Sequence, residues 1–361
     1  MTPTPNELMA AKRATIVGTG LIGGSIGMAL RKQGWTVSAV DIDDQVAQQS
    51  VDLGAADGIG VDPDSCLVVV ASPVGSIVGE VQEALVSTPA VVTDVGSAKA
   101  DIVRTVNSSR FVGGHPMAGS EQDGIAGARP DLFSRAMWVL TPVENTDENA
   151  FAAVRSVVRS LGAESITLPP DVHDGLVAQV SHVPHLTAAA LMNMADDSSV
   201  EHRALLRLAA GGFRDMTRIS AGRPSIWPDI CVANSRAIVS ALDRLINSLA
   251  SVRQMVDDSR GEEILRMLSQ ARTARINLPV GFGPSDDLVE VAIPIPDRPG
   301  EIAAIANLAA ELDVNIFDLE ISHSGEGRSG VLVVVVDESL SERFYGGLMA
   351  RGYRPNMRQL G

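Results

Sequence analysis

In the run Gly113-Gly114-His115-Pro116-Met117-Ala118-Gly119-Ser120-Glu121, one histidine is bracketed by small residues. Imidazole changes charge near neutral pH, so a histidine presented this rigidly suits a general base. Upstream, Gly18-Thr19-Gly20-Leu21-Ile22-Gly23 has the spacing of a loop that receives a dinucleotide. Gly18 permits a tight turn, Gly20 lets the backbone approach a pyrophosphate at a helix N-terminus, and Gly23 lets helix and strand pack closely. Leu21 and Ile22 belong to the same cofactor-binding turn. Together the two motifs predict that His115 takes a proton while a nicotinamide takes a hydride.

Other residues group around that chemistry. Asp41 closes the second apolar run, where a carboxylate would bond the adenosine ribose hydroxyls and repel a 2′-phosphate, so NAD is expected over NADP. Asp43 competes for the role, and either carboxylate would serve equally as a solvated strand end. Ser72-Pro73 follows the third run and joins the cofactor set. Ser97, in Val95-Gly96-Ser97-Ala98-Lys99, has two compatible readings: a helix N-cap, or a hydroxyl that orients His115 or a substrate alcohol. Glu121 would gate the site, pair with an arginine or simply face solvent.

Further along, Ser181-His182-Val183-Pro184-His185 sets two histidines on one helical face, with His173 nearby. A metal site would need a carboxylate or cysteine to complete it, and no metal is expected; a polar rim for an anionic substrate fits better. Gly212-Phe213-Arg214-Asp215-Met216-Thr217-Arg218 gathers two arginines shortly before Trp227. A guanidinium fork binds carboxylates bidentately and stays charged when partly buried, so Arg214 and Arg218 are candidate substrate anchors, with an ion pair to Asp215 as the alternative.

The elements that must position these residues follow from hydrophobic period. Apolar runs at 14–18, 36–41, 67–71, 91–94, 110–114, 137–141 and 165–168 alternate with helical patterns. That alternation predicts an α/β, Rossmann-type, doubly wound and mostly parallel sheet over residues 1–168, with ligands beyond the carboxyl ends of its strands. From 169 to 280 the text is helical and rich in small residues, as expected of an all-α substrate-binding and dimerisation domain. A turn-rich linker leads to a third unit, 288–361, that reads βαββαβ.

Composition narrows the class. The 361 residues are 45% hydrophobic but only 3% aromatic, and the net charge of −15 argues against nucleic acid or an anionic membrane as partner. Residues 14–30 are uncharged and follow Lys12-Arg13, yet five glycines break any export or membrane helix. Two cysteines, Cys66 and Cys231, make no disulfide framework, and a cytoplasmic protein is expected.

Taken in order, the glycine loop, Gly96-Ser97, His115 through Glu121, Ser181 through His185, Gly212 through Arg218 and Trp227 resemble the prephenate dehydrogenases of tyrosine biosynthesis over roughly residues 13–278. The resemblance implies that His115 takes the C4 hydroxyl proton of prephenate while C4 gives hydride to NAD, and that loss of the ring carboxylate makes the ring aromatic. It further implies that Ser97 orients His115 and that Arg218 anchors a carboxylate. Ser181 and His185 would line the side-chain end, Glu121 would act as a gate, and Trp227 would approach from the partner of a homodimer. Residues 295–300 and Val314-Asn315-Ile316 resemble an ACT domain, which implies a tyrosine or phenylalanine effector. Arogenate is the rival substrate, with Asp123 as a candidate partner for its ammonium. A non-catalytic sensor of NAD and amino acid is the rival function, and the Ser97, His115 and Arg218 constellation counts against it.

Overall fold

Eight strands build the first sheet: β1 (Arg13–Val17), β2 (Thr36–Val40), β3 (Gly58–Ile59), β4 (Leu67–Val70), β5 (Val91–Asp94), β6 (Phe111–Pro116), β7 (Met137–Thr141) and β8 (Glu164–Thr167). The computed structural model describes residues 4–119, 122, 124–201, 209–277, 288–296, 298–323 and 329–359. Strand order is β3-β2-β1-β4-β5-β6-β7-β8. Neighbours run parallel except at β6 and β7, which pair antiparallel. The seven strands expected from apolar runs are all present. β3 is the addition, because a two-residue strand carries no periodicity.

Central β4 and β5 are buried along their whole length, as strands covered on both faces must be. Strand order reverses between β1 and β4, opening a crevice beyond their carboxyl ends. The loop after β1 enters the helix Leu21–Lys32, whose Ile26, Ala29 and Leu30 lie in the core.

Contacts divide the chain into two units, Met1–Gln254 and Met255–Gly361. After the sheet, the first unit continues through helices Pro170–Val177, Val183–Glu201, Gly211–Thr217, Trp227–Ala233 and most of Ser235–Asp257. A π-helical turn, Ala178–His182, joins the first two. The wider turn shifts the phase of the next helix's side chains, and such turns recur at functional sites.

In the second unit, a helix Gly261–Ile276 precedes β9 (Leu288–Pro296), helix Glu301–Glu311, β10 (Asp318–His323), β11 (Ser329–Asp337), helix Glu338–Ala350 and β12 (Asn356–Gln359). These strands form an antiparallel sheet, β10-β11-β9-β12, over a core of Val291, Ile293, Ile305, Leu332, Val334 and Phe344. The βαββαβ order matches expectation, but two strands start late: the apolar patterns at Asn315–Ser322 and Tyr353–Met357 predict strands there, and the strands begin at 318 and 356. In each case a left-handed residue first ends the preceding helix: Asp313 (φ 56°) and Gly352 (φ 86°). The next N–H then bonds back, Val314 to the Ala309 carbonyl and Tyr353 to the Leu348 carbonyl.

Candidate active site

The glycine loop is built by exclusion. Gly18 has φ +84°, and a Cβ there would meet the Ala71 backbone at 2.8 Å; a Cβ on Gly23 would fall 1.9 Å from the Gly18 carbonyl oxygen. Above Gly20, the N-cap of helix Leu21–Lys32, nothing lies within 4 Å of that position. This is the space a pyrophosphate needs against the first N–H groups, including those of Leu21 and Ile22, so the residues present fit a dinucleotide. Across the crevice, Ser72 and Pro73 lead into helix Val74–Ser87, with Pro73 as its N-cap.

Asp41 holds this loop together. Its Oδ2 accepts the Thr19 N–H at 2.8 Å and faces the Thr19 hydroxyl at 3.2 Å, while Oδ1 accepts the Asp43 N–H. Asp43, the competitor, is the N-cap of helix Asp44–Asp52, bonded to the Gln45 N–H at 2.9 Å. Of the two carboxylates, Asp41 is the one tied to the glycine loop.

His115 lies at the end of β6, where the antiparallel step to β7 begins. Its Nδ1 is 2.9 Å from His173 Nε2, and His173 Nδ1 is 2.8 Å from Asp174 Oδ1. Asp174 also accepts the Lys99 N–H at 2.8 Å and the Ala100 N–H at 2.9 Å, at the start of helix Ala100–Val106. As a carboxylate acceptor, Asp174 selects the proton-bearing Nδ1 of His173, whose Nε2 must then accept. His115 accordingly carries its proton on Nδ1 and keeps a lone pair on Nε2, a tautomer inferred from the hydrogen-bond network. Burial, then the neighbouring His173, Lys99 and His182, holds the His115 pKa well below that of a free histidine. The arrangement is a neutral base with its free nitrogen available.

The same relay corrects one reading of Ser97. Lys99, not Ser97, occupies the N-cap position of helix Ala100–Val106, and Asp174 satisfies its first N–H groups from 75 residues away. Ser97 is left half-buried on the loop that follows β5, beside the strand end that carries His115.

A second cluster adjoins the relay. Asn234 donates through its amide to the Asp174 carbonyl at 3.0 Å and to His182 Nδ1 at 3.2 Å. Burial lowers the His182 pKa to about 4. His185 stacks on Trp227 with ring centroids 3.7 Å apart, and His182 meets Trp227 edge-on at 6.1 Å. Trp227 therefore packs against histidines of its own chain. Gly222, just after the turn Arg218–Ala221, approaches His185 closely enough that a Cβ would lie 3.6 Å from its ring. Arg218 thus starts a turn that reaches the histidine cluster, whereas Arg214 is exposed and bonds the Ala209 carbonyl at 3.3 Å. Ser181 lies half-buried on the π turn. Glu121 and Asp123 are outside the described residues.

Sequence reasoning missed His173 and Asp174 as functional residues. The signal was present, since an adjacent His-Asp pair at the start of a helix supplies both a proton relay and its orienting carboxylate. Weighing the histidines as metal ligands passed over that carboxylate.

Comparison with known proteins follows the same division. The family model for the prephenate dehydrogenase nucleotide-binding domain matches residues 26–167, and that for the prephenate dehydrogenase dimerization domain matches 169–270. A prephenate dehydrogenase of Bacillus subtilis is 32% identical over 88% of this chain and 90% of its own. Among solved structures, a prephenate dehydrogenase of A. aeolicus in complex with hydroxyphenyl propionate and NAD+ is 29% identical with a TM-score of 0.70, covering 73% of this chain and 97% of that one. The Synechocystis arogenate dehydrogenase is 31% identical with a TM-score of 0.65, covering 73% of this chain and 98% of its own.

Proposed function

Because the chain belongs to the prephenate dehydrogenase family, we propose that it catalyses the oxidative decarboxylation of prephenate to 4-hydroxyphenylpyruvate with NAD. The observation that carries this reading is the Asp174–His173–His115 relay, which leaves one basic nitrogen free at the same edge of the sheet as the glycine loop. Bound NAD supplies the hydride acceptor. His115 Nε2 takes the C4 hydroxyl proton as C4 loses hydride; the ring carboxylate leaves as carbon dioxide, and its electron pair makes the ring aromatic. The new phenolate oxygen is then reprotonated, so no net proton is released. As His115 becomes charged, Asp174 stabilises it through His173 without accepting the proton itself.

Around that step, Gly18, Gly20, Leu21, Ile22, Gly23, Ser72 and Pro73 would hold the dinucleotide, and Asp41 the adenosine ribose. Ser97 would orient the alcohol, and Arg218 would anchor a carboxylate of the dianion. Ser181, His185 and Trp227 would line the opposite end, with Arg214 at the rim, and Glu121 would act as a gate. Prephenate and arogenate offered in parallel with NAD, read by NADH absorbance, test the reading. Faster turnover of prephenate is expected; silence with both would sink it. Likeness to the Synechocystis enzyme favours arogenate as the second reading, and preference for it would direct attention to Asp123.

Three further parts belong to the same proposal. The chain would work as a homodimer, supported by exposed Val239, Ile246 and Leu249 on helix Ser235–Asp257. Residues 288–361 would act as an ACT domain for tyrosine or phenylalanine, supported by the βαββαβ order and by a cavity of about 420 Å³ lined by Pro294, Pro296, Arg298, Glu301 and Tyr353. Deleting residues 286–361 should remove inhibition by the effector and spare turnover; inhibition that persists would place the effector at the active site. A cytoplasmic location completes the reading, supported by the free thiols of Cys66 and Cys231.

A further inference from the structure

Building on the assignment of His115 as the base, we propose that the buried Asp94–Lys99 pair is its positioning device, tying the peptide before His115 to the Ser97 loop and to Asp174. Both side chains are fully withdrawn from solvent. Asp94 Oδ2 accepts the Gly96 N–H at 2.9 Å and meets the Lys99 ammonium, while Oδ1 accepts the Gly114 N–H at 3.1 Å. Lys99 gives its own backbone N–H to Asp174 Oδ1. One carboxylate therefore fixes both the residue preceding the base and the loop carrying Ser97, and one lysine links that carboxylate to the group behind His173.

The neighbouring glycines make room for this pair. A Cβ on Gly96 would lie 3.0 Å from Asp94 Oδ2 and 3.4 Å from Lys99 Nζ, and one on Gly114 would lie 2.7 Å from the Asp94 carbonyl oxygen. Stability alone is a weak reason to keep two buried charges, because apolar residues of similar volume commonly replace such pairs without loss. Catalysis supplies a stronger one. Burial, then His173, Lys99 and His182, disfavours a proton on His115, and the carboxylates of Asp94 and Asp174 belong to the same hydrogen-bonded network on the strand and helix packed alongside. The balance leaves the base neutral until substrate arrives.

The test uses the full-length protein, with Lys99→Met and the double variant Lys99→Met/Asp94→Asn compared with the parent. Nitrogen NMR of the histidine rings follows His115 directly, and the pH profile of kcat/KM for prephenate follows it through turnover. In Lys99→Met both should move to higher pH by roughly one unit, with kcat about tenfold lower and the Kd for NAD unchanged. The double variant strands no charge, so it should fold even if the single variant does not, and it should show lower kcat with a smaller shift. His115 titrating as in the parent, with kcat retained in the variant that folds, would overturn the proposal. Failure of the parent to oxidise prephenate would remove the functional reading instead, and the NMR titration would still decide the positioning role.

Discussion

The two ends of the candidate site are built in opposite ways. At the proposed proton end, His173, Asp174, Asp94 and Lys99 are buried and joined by hydrogen bonds. At the proposed carboxylate end, Arg214 and Arg218 are exposed, and His185 and Trp227 stack on one another. The contrast follows from what each end must do. A base needs one tautomer in one place, and fixing it in advance spares the reaction that reorganisation. A dianion must arrive hydrated and shed water on binding, which requires cations that solvent and substrate can both reach.

If this contrast holds, substitutions at the two ends should separate turnover from binding. His115→Asn should lower kcat by roughly 10²–10⁴ with little change in the Kd for NAD; near-normal turnover would remove His115 from the mechanism. Replacing His173 by Phe takes away the acceptor that fixes the His115 tautomer. There kcat should fall by about tenfold to a hundredfold at constant KM, and a raised KM with intact kcat would place His173 on the binding side.

Arg218→Ala probes the other end. Loss of a charge-assisted hydrogen bond worth about 1.5–3 kcal/mol should raise KM for prephenate by roughly tenfold to a hundredfold while kcat changes little. An unchanged KM would rule Arg218 out as the anchor and leave the comparison without its second half.

The smallest effect concerns stability. His182 is lowered from 6.5 to about 4 by burial, so the unfolded chain binds a proton that the folded one resists. Its contribution is complete above the unfolded value and is lost as pH falls from 6.5 towards about 4. His182→Gln should flatten the dependence of melting temperature on pH across that window. A slope as steep as in the parent would assign the acid sensitivity to other groups.

Much of the site was legible in the sequence. The glycine spacing, the apolar runs and the Gly-Gly-His-Pro bracket are local features, and local features report backbone conformation and strand ends well. They place His115 and the dinucleotide loop at the same edge of a parallel sheet. Residues 288–361 were similarly readable, apart from strand starts displaced by left-handed helix ends at Asp313 and Gly352.

By itself, then, the sequence determined the order of elements, the candidate base and the glycine loop, because each depends on residues close together in the chain. Only the tertiary structure decided that Asp174 caps a helix 75 residues upstream and that His173 fixes the proton on His115. It alone showed that Lys99 is buried against Asp94 and that Trp227 lies on His185 of its own chain. These are pairings between separate elements. Their geometry is set by how sheet and helices pack, and a hydrogen bond or ion pair across such a distance leaves no period in the sequence to reveal it.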